Sequence, residues 1–115
     1  MHQHEGLTLE RWRAFSAPQQ VLMIANELHR ARKLMGDDDS PRRRSAYERV
    51  LYLADLTIAA QAGWSLRREL LRFRDLAAAM YVDPSPDADE QARLLKALLL
   101  LTPESALQRE PLGLL

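Results

Sequence analysis

Two apolar seams on either side of Gly63 constrain the fold of this chain more than any other feature. Before the glycine, Tyr47, Val50, Leu51, Ala54 and Ile58 recur at helical spacing; after it, Leu66, Leu70, Phe73, Ala77 and Met80 step by four, three, four and three. A helix with one apolar stripe must bury it, and two such helices joined by a breaker bury each other as an antiparallel hairpin. Composition agrees: 22 Leu and 16 Ala stand against three Val, two Ile and three Thr. Straight-chain residues that lose little freedom in a helix dominate, and the β-branched residues favoured in strands are scarce. The expectation is an all-α fold, an antiparallel up-down bundle of four main helices at about 17–35, 41–62, 65–82 and 86–101, with short helices at both ends.

Start and stop signals set those boundaries. Thr8 can cap a short first helix carrying Leu9, Trp12 and Phe15, with Trp12 as a lid over one end of the bundle. Ser16 and Gln19 form a capping-box pattern with Pro18 in the first turn, and Gly36 stops that helix. Ser40, Ser65, Ser85 and Thr102 are the candidate caps of the later helices. Residues 1–6 read as a disordered N-terminus, residues 7–110 as a single helical-bundle domain, and residues 111–115 as an apolar tail that either folds back or binds elsewhere.

Registering the hairpins places specific pairs level with one another. Glu27, at the edge of its seam, comes level with Arg49; Gln20 comes opposite Thr57 and Asp55 opposite Arg72. His29 faces mostly outward. Arg42, Arg43 and Arg44 occupy a helix N-terminus, the unfavourable end for positive charge, close to Arg30, Arg32 and Lys33. Asp37–Asp39 with Asp83, Asp87, Asp89 and Glu90 share that end, which favours a solvated salt-bridge network over a phosphate site.

Sixteen basic and sixteen acidic side chains cancel, so no net field draws the whole molecule to nucleic acid or to an anionic surface. The chain has no Cys, which removes disulfide and thiol chemistry. Its opening residues lack the basic start and apolar core of a signal peptide, and no apolar run approaches the roughly 20 residues that span a bilayer. A cytoplasmic location without membrane attachment is the default expectation. No Ser/His/Asp arrangement, Gly-rich phosphate loop or Glu-x-x-His pair is present, so no catalytic residue, cofactor or metal is assigned. His2 and His4 could chelate a metal only loosely.

The sequence therefore predicts a small, non-enzymatic interaction or regulatory protein that forms a homodimer or meets another helical protein. Tyr52, Leu56 and Ala59 make a second apolar stripe on the helix before Gly63, the expected surface for self-association, with Leu112–Leu115 contributing. Two alternatives come from other residues. An RNA-binding accessory role would use the anion-contacting group Arg30, Arg32, Lys33, Arg42, Arg43 and Arg44. A small-ligand sensor or enzyme would need a pocket at Glu27, Tyr47 and Arg49.

Overall fold

The computed structural model describes residues 7–35, 40–60 and 63–114. Six helices follow in chain order: α1 (Leu9–Trp12), α2 (Ala17–Lys33), α3 (Ser40–Ala60), α4 (Trp64–Val82), α5 (Ala88–Leu99) and α6 (Pro103–Ala106). The expectations for residues 1–6, Gly36, Asp37–Asp39 and Leu115 lie outside the described residues.

The four long helices form a ring in which α2 packs on α3, α3 on α4, α4 on α5 and α5 back on α2, while α1 lies against α3 and α6 against α2. Both seams around Gly63 point inward: Tyr47, Val50, Ala54 and Ile58 are buried on α3, and Leu70, Phe73, Ala77 and Met80 on α4. They join Val21, Ile24 and Leu28 of α2 and Leu94, Leu95, Leu98 and Leu99 of α5 in the buried interior. Burying a Leu, Val or Phe side chain contributes about 1.5–3 kcal/mol, so the stripes legible in the sequence supply most of the driving force.

Caps hold the helix ends, not always as the sequence suggests. Ser16 and Gln19 form the full capping box on α2, and Thr8 and Thr102 cap α1 and α6. Ser65 does not cap α4: the helix begins one residue earlier, with Gly63 as N-cap and no side-chain hydrogen bond. Ser85 does not cap α5 either. Its amide donates to Asp83 Oδ1 at 2.9 Å, and Asp87 is the cap, accepting from the Asp89 amide at 3.2 Å.

Trp12 closes one end of the ring, with no exposed surface. Its indole Nε1–H donates to Thr57 Oγ1 at 2.8 Å, and Thr57 in turn donates to the Leu53 carbonyl at 2.9 Å. Gln20 Nε2 donates to the Trp12 carbonyl at 3.0 Å and to the Phe15 carbonyl at 3.1 Å. Gln20 and Thr57 are both inside, as their register requires, and both serve Trp12. A large amphipathic ring buried with its one donor satisfied is a structural plug.

The C-terminal tail folds back. The Leu114 amide donates to the Arg109 carbonyl at 2.7 Å and the Gly113 amide to the Glu110 carbonyl at 3.0 Å, the paired bonds of a Schellman turn. Gly113 supplies the positive φ of 72° which that turn requires. Leu114 is thereby buried in the core, and Leu112 packs partly against it. The tail reaches its own bundle, which removes Leu112 and Leu114 from the expected self-association surface.

Candidate functional site

The expected contact stripe on α3 is largely covered by the chain's own N-terminal segment. The Tyr52 hydroxyl donates to the Leu7 carbonyl at 2.9 Å, α1 packs on α3, and Tyr52 and Leu56 are half-buried against the core. Only Ala59 of the three is exposed. A second stripe on a helix demands a second neighbour, and here that neighbour is α1.

The basic group is not gathered in one place. Arg43 is buried: it donates to the Ser40 hydroxyl at 3.1 Å, the Pro84 carbonyl at 3.3 Å and the Leu34 carbonyl at 3.5 Å. It ties the end of α2, the start of α3 and the α4–α5 turn together, a structural role that withdraws it from any nucleic-acid surface. Arg44 lies over the Tyr81 ring, 5.5 Å from its centroid, on the side of α3 that meets α4. Arg30, Lys33 and Arg42 line an open cavity of about 490 Å³ between α2 and α3, with Leu34, Ser45 and Arg49. Arg32 does not line that cavity. Of the acids expected to join this group, Asp83 and Asp87 instead accept hydrogen bonds from backbone amides of their own turn.

Glu27 and Arg49 meet as their register predicts, at 3.6 Å, and Arg30 approaches the same carboxylate oxygen at 3.8 Å. Tyr47 does not open into this cavity; it is buried, with its hydroxyl 3.9 Å from the sulfur atoms of both Met35 and Met80. Burial pushes its phenol up to about 12, against a smaller opposing effect from Arg43. His29 is half-buried rather than facing outward. Burial lowers its pKa first, and the neighbouring charges of Lys33 and Arg32 lower it further.

A different feature, missed in the sequence, runs between α4 and α5. Two adjoining cavities of about 420 and 170 Å³ share Leu76, Leu94 and Ala97 and together form one open groove along the two helices. Its floor is apolar, formed by Phe73, Leu76, Met80, Leu94 and Leu98. Leu76 is 58% exposed. One end is acidic, with Asp83, Asp87 and Glu90 against Arg93; the other carries Glu69 and Arg72, bonded to each other at 3.0 Å.

Helix α5 is anchored to α2 rather than to α4. Gln91, wholly buried on α5, donates from Nε2 to the Leu28 carbonyl of α2 at 2.6 Å. The sequence signal was a glutamine in a slot of the leucine seam, three residues before Leu94 and seven before Leu98. On the opposite edge, α4 is fastened to α3. Arg74 donates to Asp55 at 2.8 Å, and the Tyr81 hydroxyl donates to Glu48 at 2.8 Å. Arg74, not Arg72, is the partner of Asp55; Arg72 turns to Glu69 on the groove side.

Among the described residues no group of three or more His, Asp or Glu side chains converges for a metal ion, and no helix is long and apolar enough to cross a membrane. No protein-family model matches the chain, and neither curated proteins nor solved structures give a significant match.

Proposed function

We propose that this chain is a non-enzymatic helical interaction module whose contact surface is the α4–α5 groove. The observation that carries the reading is Leu76, a large apolar side chain standing mostly in water at the centre of an otherwise apolar trough. Grooves of this shape accept the apolar ridge of another helix, read as anchors three and four residues apart. The occupant of stated chemistry is a helix with such a ridge and cationic residues at one end. The acidic mouth at Asp83, Asp87 and Glu90 would receive those cations.

The test is a synthetic amphipathic helix with leucines on one face and arginines at one terminus, titrated against the protein by fluorescence anisotropy. Saturable binding that Leu76→Asp abolishes is the expected outcome. No binding to the parent protein overturns the reading.

A second reading rests on the cavity between α2 and α3. Arg30, Lys33, Arg42 and Arg49 around one opening favour a phosphate-bearing ligand, including an RNA backbone. It takes second place because Glu27 already lies beside two of those guanidinium groups and Arg43 is withdrawn.

A further inference from the structure

We infer that the helix received by the groove is α4 of a second copy of this chain, laid antiparallel about a two-fold axis near Leu76. The inference rests on the groove being an interaction surface and adds the identity and direction of its occupant.

The argument comes from charge polarity. Along α4 the cationic end comes first: Arg68 and Arg72 lie before Leu76, both exposed, and with Glu69, which is paired to Arg72, they leave one net positive charge there. The carboxylates come last: Asp83 lies beyond Met80, and the α4–α5 turn brings Asp87 and Glu90 beside it. Among the residues lining that end, Arg93 is the single cation against three carboxylates. A surface with opposite charges at its two ends and an apolar centre is complementary to itself only when turned end for end.

Heights along the helix agree. At 1.5 Å per residue, Arg68 lies roughly 12 Å to one side of Leu76 and Asp83 roughly 10 Å to the other. An antiparallel copy therefore brings Arg68 level with the partner's Asp83 and Asp87, within reach of a long guanidinium side chain. Arg72 comes level with the partner's Met80, beside Glu90. The two Leu76 side chains meet near the axis, each over the partner's Leu94 and Ala97. Glu69 comes level with the partner's Asp83, a like charge, but its carboxylate is already bonded to Arg72 at 3.0 Å. A parallel copy would stack arginine on arginine and aspartate on aspartate, so the charges select the antiparallel arrangement.

Equilibrium sedimentation of four species tests this: the parent, Leu76→Arg, a basic-end reversal (Arg68→Glu with Arg72→Glu), and an acidic-end reversal (Asp83→Lys, Asp87→Lys and Glu90→Lys). All substituted positions are exposed, and circular dichroism checks that each variant is folded. The parent should dimerise reversibly, more weakly at high salt, and Leu76→Arg should be monomeric. Each reversal alone should raise the dissociation constant at least about tenfold, and mixing the two should restore a heterodimer with at least the parent's affinity. That rescue cannot come from a misfolded variant.

A parent that dimerises equally well with either reversal, or two reversals that fail to pair, overturns the inference. A monomeric parent that still binds the leucine–arginine peptide overturns self-pairing alone. A monomeric parent that ignores the peptide overturns the groove reading as well.

Discussion

Helix α4 has two flanks that the same chain treats in opposite ways. Toward α3 it is sealed: Leu70 and Ala77 have no exposed surface, and outside the apolar contact Arg74–Asp55 and Tyr81–Glu48 bridge the helices, with Arg44 on the Tyr81 ring. Toward α5 it is open, and Leu76, one turn from Phe73, stands 58% exposed. Both flanks carry leucines and arginines, so composition does not separate them. What separates them is where the neighbour's polar anchor points: Asp55 and Glu48 of α3 reach for α4, whereas Gln91 of α5 reaches away to α2. One buried amide bonded to a backbone carbonyl fixes a helix's tilt, because releasing it would leave polar atoms unsatisfied inside.

The largest effect that could break this comparison is on the sealed flank. Leu70→Ala should cost about 2–5 kcal/mol in urea denaturation, the usual range for a leucine truncated in a core. Leu76→Ala should change the stability of the dilute protein by less than about 0.5 kcal/mol while weakening self-association. Equal costs at the two positions would mean that α5 closes over α4.

Tyr47 sharpens the picture of the interior behind both flanks. Its phenol is raised from 10.0 to about 12, chiefly by burial, so the folded protein holds that proton more tightly than the unfolded chain does. The stabilisation is fully present below pH 10 and is lost as pH rises through about 12. Parent stability should fall over that window by on the order of 2 kcal/mol more than that of Tyr47→Phe, read by denaturation at stepped pH. Parallel curves for the two proteins would place Tyr47 in contact with water.

His29 gives a smaller effect at the acid end. Its pKa is lowered from 6.5, so the unfolded chain binds its proton first and stability falls as pH drops below 6.5. The imidazole resonances followed by NMR should titrate below that value, and His29→Gln should flatten the acid slope. The smallest effect belongs to Asp55–Arg74, a bridge with both side chains partly in water. Asp55→Ala should cost about 0.2–1 kcal/mol, and less in high salt. A larger loss would make that bridge, rather than the apolar seam, the fastening of the sealed flank.

The sequence was a good guide wherever one helix face met one neighbour. The seams from Tyr47 to Ile58 and from Leu66 to Met80, the capping box at Ser16 and the Glu27–Arg49 contact all follow from spacing and register. It misled where a third segment intervened. Trp12 lies where Gln20 and Thr57 were expected to face only each other, and Leu7 meets Tyr52 on the stripe expected to face another molecule. Arg43 looked like a surface charge because a helix N-terminus is usually wet, yet the end of α2 and the α4–α5 turn both converge on it. The groove escaped notice for a related reason. Leu76, Leu94 and Ala97 read as core by pattern, and only the direction of Gln91 leaves a trough beside them.

Because the chain has no cysteine, one introduced thiol reports one site. Thiol labelling of Leu76→Cys and Leu70→Cys at nanomolar and then at high micromolar protein measures the two flanks of α4 directly. In dilute protein, Leu76→Cys should react nearly as fast as a free peptide thiol while Leu70→Cys stays protected, and concentrating the protein should slow Leu76→Cys alone. Equal protection at both positions at every dilution would contradict the account, since it would mean that α5 covers α4 and no groove is there to be filled.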